Sequence, residues 1–325
     1  DYCYPFRPEE NAILRHAIVA DPVDAKAPYY LGNLRFEHQP EEAVSLWETS
    51  RSLDPSFYIV HRNLALAYRD IDRNYPKALE SIRKAVSCNA DDPRLLYETD
   101  VINDLNGLSA KEKYDFLIAN RKTAVKHYET LLRLITRSVE NGKYDEALDL
   151  LDHNDIVESE GAREKQSDYL NSYSLKAWDL LRNNRGKQAA EVMQKALDYP
   201  VGLYGRAQFS QLYFLAGEAE RKAGNDDKAR EYYIKAANDV ERGTGADRQY
   251  DYWSGLAQKA LGNTSAAEEI FRNMTGSANE ANTISGQFGG RVTSSARAAQ
   301  NEMTAGLGWL GLGDKAAAKE HLQKA

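Results

Sequence analysis

A short pattern of small and large apolar residues recurs along the chain. An alanine is followed four residues later by a large apolar residue, usually with a small residue three positions after that. Because this spacing places the three side chains on one face of a helix, each copy predicts a helix that packs through that face. The copies are Ala43–Trp47–Ser50, Ala78–Ile82–Ala85, Ala189–Met193–Ala196, Ala229–Tyr233–Ala236, Ala267–Phe271–Met274 and Ala318–Leu322–Ala325.

A second helical pattern lies upstream of each copy. It carries a small residue where two helices must approach closely, at Gly32, Ala65, Ala177, Gly217, Gly255 and Gly306. Turn sequences separate the two patterns, with glycine suited to end one helix and Asn or Asp suited to cap the next. Asp-Pro pairs follow the second helix at Asp21-Pro22, Asp54-Pro55 and Asp92-Pro93, and proline does not continue a helix. Each repeat therefore reads as helix A, a short turn and helix B.

These repeats resemble the tetratricopeptide repeat (TPR), since Leu31-Gly32, Ala43, Trp47 and Pro55 follow its pattern. The resemblance implies an all-α fold, a right-handed superhelical solenoid of TPR-like helix pairs spanning residues 1–325 as one domain. We predict a polar, flexible insert at about 275–292. The predicted repeats are a partial one at 8–22 and full ones at about 23–55, 56–93, 94–127 (divergent), 128–155, 168–201, 207–240, 247–275 and 296–325.

The first repeat is a helix B without its helix A, and the last ends on a helix B. We therefore expect the chain to be a domain of a larger protein. Some stretches also resemble the C-terminal TPR region of large bacterial and fungal proteins with an N-terminal β-rich domain of unknown function. Where that family often has Trp-Glu-Gly-Gly-Glu-Gly, this chain has Ile156 to Gly161. The stretches that carry the resemblance are Tyr4–Glu10, Asp24–Leu34, Leu53–Phe57 and Val60–Ala65.

Composition narrows the classes of function. Lys and Arg number 42 and Asp and Glu 49, so a net charge of −7 argues against a nucleic-acid partner. No apolar run approaches the length of a membrane span. Two cysteines exclude a disulfide framework, and no two of the six histidines have the spacing of paired helical metal ligands. We expect no metal and no cofactor.

The G-x-G-x-x-G motif of a dinucleotide-binding loop occurs once, as Gly306-Leu307-Gly308-Trp309-Leu310-Gly311. That site needs a strand before it and a helix after it, whereas this segment lies inside a predicted helix A. We interpret its glycines as helix-packing positions.

The inner, concave side of a TPR solenoid is lined by helix A residues, and those of Tyr, Trp and Arg type suit a peptide groove. We predict a non-catalytic scaffold that binds a protein or peptide segment, or the upstream domain of its own chain. The alternatives are an accessory module of a carbohydrate-active protein, with a glycan as ligand, and a cryptic hydrolase built from distant acidic and histidine side chains. The candidate binding residues are Tyr29, Asn33, Arg62, Asn63, Arg69, Tyr97, Asp100, Trp178, Glu218, Arg221 and Tyr252.

Overall fold

A computed structural model describes residues 7, 9–154, 164–198, 209–239, 249–279 and 294–325. The segment Ile156 to Gly161 and most of the predicted insert at 275–292 lie outside the described residues. The chain divides into two compact units, residues 1–156 and 157–325. Helices follow one another in both units, and no strand occurs in the described ranges. The predicted all-α class is confirmed.

The first unit begins with α1, the helix B of the partial repeat, and continues as helix A and helix B in alternation. In the third repeat helix B is divided between α7 and α8. The helices are α1 (Glu10–Ala20), α2 (Lys26–Arg35), α3 (Pro40–Leu53), α4 (Tyr58–Asp70), α5 (Tyr75–Cys88), α6 (Pro93–Leu105), α7 (Ala110–Ala119), α8 (Arg121–Ala124), α9 (Tyr128–Glu140) and α10 (Tyr144–Asp152).

The second unit contains four pairs in the same order. A short 3-10 turn, Gly276–Asn279, follows the third pair. The helices are α11 (Glu164–Arg182), α12 (Gly186–Leu197), α13 (Phe209–Ala223), α14 (Asp226–Asn238), α15 (Asp251–Ala260), α16 (Thr264–Thr275), α17 (Ser294–Leu312) and α18 (Lys315–Lys324). No described helix is long and apolar enough to cross a membrane.

The small residues of helix A meet the large residues of helix B, as the repeat pattern predicts. A methyl group added to Gly32 would lie 2.5 Å from Nε1 of Trp47, and one added to Gly217 would lie 2.6 Å from the Tyr233 ring. A Cβ at Gly255 would collide with Phe271 in the same way. The glycines therefore let each pair close until a large side chain fills the contact.

The glycines of the 306–311 segment are all packed inside the helical unit. Gly306 faces Leu322 of α18, whereas Gly308 and Gly311 lie against α16, where Gly308 touches the backbone of Phe271 and Thr275. The packing interpretation of this motif is confirmed.

The Asp-Pro pairs do not all have one role. Asp21 and Asp54 follow the last residues of α1 and α3 as C-caps. Asp92 instead is the N-cap of α6, where its carboxylate accepts a hydrogen bond from the backbone N–H of Arg94 at 3.0 Å. Pro93 is the first residue of that helix, a position at which its missing N–H costs nothing.

Candidate functional site

Two of the predicted binding residues are buried. Tyr29 is 3% exposed and packs edge-on against Phe57, with ring centroids 5.0 Å apart. Asp100 is fully buried. The expectation that these two side chains line an open surface is wrong, because the first belongs to the aromatic core and the second to an ion-pair cluster.

The buried Asp100 stands at a close-packing position. The buried residues of α4 recur in α6 with an offset of 35, which aligns Asp100 with Ala65. Its Oδ2 lies 2.7 Å from Nε of Arg133 and 2.9 Å from a terminal nitrogen of Arg137, both on α9. A carboxylate paired with two arginines therefore takes the place of the small residue found in other repeats.

The cluster around Asp100 extends to further charged groups. Arg137 is 3% exposed and also pairs with Asp104 at 2.6 Å and Glu140 at 2.9 Å. Burial by itself would raise the pKa of Asp104, but hydrogen bonds from Lys113 and Arg137, with the charge of Arg133, hold it below its ordinary value. Three carboxylates therefore balance three cations between α6, α7 and α9.

Four of the half-buried predicted residues of the first unit pair with nearby side chains. Asn63 donates a hydrogen bond to Oδ1 of Asn33 at 2.9 Å, which joins α4 to α2. Arg62 forks onto both carboxylate oxygens of Glu98, with Nε 2.8 Å from Oε2, and so joins α4 to α6. Arg69 pairs with its neighbour Asp70 at 2.6 Å. Asn33, Arg62 and Asn63 therefore connect neighbouring helices, whereas Arg69 pairs within α4.

Among the predicted residues of the second unit, only Trp178 is a large apolar side chain exposed to solvent, with an exposed fraction of 45%. Glu218 accepts hydrogen bonds from Arg221 at 2.6 Å and from the hydroxyl of Tyr233 at 2.5 Å. Burial favours a higher pKa for Glu218, but these two donors hold it below the ordinary value. Tyr252 packs against Phe271, with centroids 5.9 Å apart. The predicted residues of this unit do not converge on one described site.

A groove of about 470 Å³ opens between the first two turns of α6 and the start of α9 in the first unit. Of the predicted residues only Tyr97 contributes to it. Its lining residues are Arg94, Tyr97, Glu98, His127, Tyr128 and Glu129.

A hydrogen bond from a side chain to a backbone carbonyl joins the two walls of the groove near their N-termini. The hydroxyl of Thr130 donates to the carbonyl oxygen of Pro93 at 2.8 Å, and Thr130 is fully buried. Nδ1 of His127 lies 3.2 Å from that same hydroxyl oxygen. The first turns of α6 and α9 are therefore fixed relative to each other before any ligand arrives.

The repeat register of the first two repeats predicted only one of the six lining residues. Arg94, His127, Tyr128 and Glu129 occupy the first turn of helix A or the residue just before it, and Glu98 lies in the second turn of α6. One sequence signal was present: Arg94 follows an Asp-Pro pair directly and places a cation in a first turn, where negative charge is usual.

Ionisable side chains elsewhere form no described catalytic or metal centre. His61 is 5% exposed and its Nε2 lies 2.9 Å from the carbonyl oxygen of Pro55; burial lowers its pKa, so the ring is neutral at pH 7. Sγ of Cys88 approaches the same oxygen at 3.9 Å, so the fold brings together a histidine and a cysteine that are far apart in sequence. Because Nε2 donates its hydrogen to that carbonyl oxygen, this nitrogen cannot accept the proton of the Cys88 thiol. In the described ranges no group of three or more His, Cys, Asp or Glu side chains has the arrangement of a metal site.

No protein-family model matches the chain. Solved structures that align with it include YrrB, a TPR protein with an unusual peptide-binding site, at 16% identity and a TM-score of 0.42, covering 57% of this chain and 91% of that one. The C-terminal part of a TPR repeat-containing protein from Cytophaga hutchinsonii aligns at 12% identity and a TM-score of 0.45, over 75% of this chain and 93% of that one. Naa15/Naa10 bound to HypK-THB aligns at 16% identity and a TM-score of 0.41, over 97% of this chain and 55% of that one. The chain thus spans about half the length of the last.

Proposed function

We propose that this chain is a non-catalytic TPR-like scaffold that binds a segment of another protein, or of its own longer chain, in the groove between α6 and α9. The observation that carries the proposal is a preformed opening of about 470 Å³ with two tyrosines and several charged side chains at its walls. Tyrosine supplies large contact area at a small entropy cost, and such rings dominate the energy of many interfaces.

Selection from a random-peptide phage library on the intact protein tests this proposal. We expect enrichment of a peptide family whose binding, measured by fluorescence anisotropy, weakens by about 2 kcal/mol when Tyr97→Ala removes one wall of the groove. Lys84→Ala on the exposed side of α5 is the matched control and leaves affinity unchanged. Failure to enrich any peptide contradicts the proposal.

The accessory role in glycan handling remains the alternative, since tyrosine rings also stack on sugars. Calorimetric titration with an oligosaccharide panel separates the two functions. If a glycan gives heat of binding, Tyr97→Ala abolishes that heat and no peptide is enriched, the glycan role is favoured. If only peptides give heat of binding, the scaffold is favoured.

A further inference from the structure

Two charged side chains of the groove have no ion-pair partner among the residues that the structure describes. Arg94 and Glu129 are both exposed, and in the described part of the chain neither forms an ion pair. Glu98, by contrast, is held by the two-pronged contact with Arg62. The groove therefore presents one available cation, on α6, and one available anion, on α9.

The favourable interaction of a charge with the helix end explains the position of Glu129 but not that of Arg94. Glu129 is in the first turn of α9, where a negative charge interacts favourably with the positive end of the helix. Arg94 is the second residue of α6, where the same helix polarity opposes a cation. A ligand with a negative group next to Arg94 would offset this unfavourable interaction.

We propose that the groove binds an extended peptide segment with one acidic and one basic side chain, which pair with Arg94 and Glu129 respectively. This inference rests on the proposed function and specifies its ligand. Packed helices lie about 8–10 Å apart, and an extended chain advances about 3.3 Å per residue. Because side chains of an extended chain alternate between its two faces, the two charged residues of the ligand are two or four positions apart, and the residues between them lie over Tyr97 and Tyr128.

Exchange of the two charges tests the inference. The peptide library is selected in parallel on the intact wild-type chain and on the double variant Arg94→Glu/Glu129→Arg. We expect wild type to enrich an acid–base pair in one order and the variant to enrich the opposite order. Each synthetic peptide should bind its own partner roughly tenfold or more tightly than the exchanged one, because like charges meet in the mismatched complex.

The double variant Glu80→Lys/Lys84→Glu is the matched control. It exchanges two exposed charges on α5, away from the groove, and should enrich the wild-type family. Circular dichroism and thermal unfolding check that both variants are folded, as expected for exposed sites.

The outcomes separate the inference from the proposed function. If wild type and the exchanged variant enrich the same peptides, the charge-pair inference is overturned while peptide binding stands. If peptides are enriched without a charge pair, the inference is overturned as well. If wild type enriches nothing, both fail.

Discussion

A single glycine decides how closely helix A approaches helix B in several repeats. At Gly217 there is no room for a Cβ because the Tyr233 ring would lie 2.6 Å away, and that ring is anchored by its hydroxyl on Glu218. Gly276 is different, since nothing lies within 4 Å of an added Cβ and its φ of −71° suits any residue.

We therefore expect Gly217→Ala to lower the free energy of unfolding by about 1–3 kcal/mol through overpacking. Gly276→Ala should be neutral or stabilising by about 0.4–1 kcal/mol, since alanine restricts the unfolded chain. Urea unfolding of both variants measures the difference. Equal losses would mean that the Gly217 contact is not close-packed.

Tyr29 gives a second test at this scale. Because its ring is buried against Phe57 and Tyr30, Tyr29→Ala should cost about 3–5 kcal/mol of stability. Thermal and urea unfolding provide the measurement. If the Tyr29→Ala protein were as stable as wild type, the burial of Tyr29 would be contradicted and the predicted position on the open surface would be favoured.

Between elements, charged side chains join α6 to α9. Asp100 has no exposure and depends on Arg133 and Arg137, so removal of Arg137 leaves a buried carboxylate with one partner fewer. Removal of Asp100 leaves Arg137 still paired with Asp104 and Glu140. Removal of the Arg137 side chain should therefore cost more stability than removal of the Asp100 side chain.

Arg137→Leu should destabilise the protein by about 3–5 kcal/mol, and Asp100→Ala should cost less. The double variant should lose less than the sum of the single losses, with a coupling energy of about 0.5–3 kcal/mol. A double-mutant cycle by urea unfolding supplies these values. Strict additivity would contradict the contact between the two side chains.

The same cluster makes stability depend on pH. The pKa of Asp104 is below its ordinary value in the folded protein, so its ionised form favours folding above the unfolded pKa near 4. That contribution is lost as the pH falls through the folded pKa. Unfolding measured from pH 6 to pH 2 should therefore show a smaller acid loss for Asp104→Asn than for wild type. Parallel curves would contradict the role assigned to this carboxylate.

The pairing of helices was predictable because it depends on residues four or seven positions apart on one helix, such as Ala43 and Trp47. The groove and the ion cluster depend on contacts about 35 residues apart, between side chains of successive A helices. Arg62 with Glu98 and Asp100 with Arg137 are such pairs. No local periodicity specifies which of these charges meet. The sequence likewise did not show that Tyr29 faces the aromatic core and not the open surface.

Across the whole molecule, charge is concentrated in one unit. The first unit has 20 basic and 27 acidic residues, whereas the second has 22 of each, so the net charge of −7 belongs to the first. The proposed groove lies in this acidic unit. Its field favours the approach of ligands with net positive charge.

For peptides that share the same groove-binding residues, the association rate should therefore rise with added lysines outside the contact. The advantage should shrink as salt increases from 10 mM to 150 mM, because screening shortens the reach of the field. Stopped-flow anisotropy measures these rates. A rate independent of both peptide charge and salt would contradict steering by the first unit.

The location of a bound peptide on the helix A surface is tested most directly by photo-crosslinking. A library-selected peptide with a photoreactive residue at its centre is irradiated with the intact protein, and the attachment sites are read by mass spectrometry. We predict crosslinks to the first two turns of α6, at Arg94 to Glu98, and to the start of α9, at His127 to Glu129. Crosslinks confined to the helix B surface, such as α5 and α10, would contradict the account.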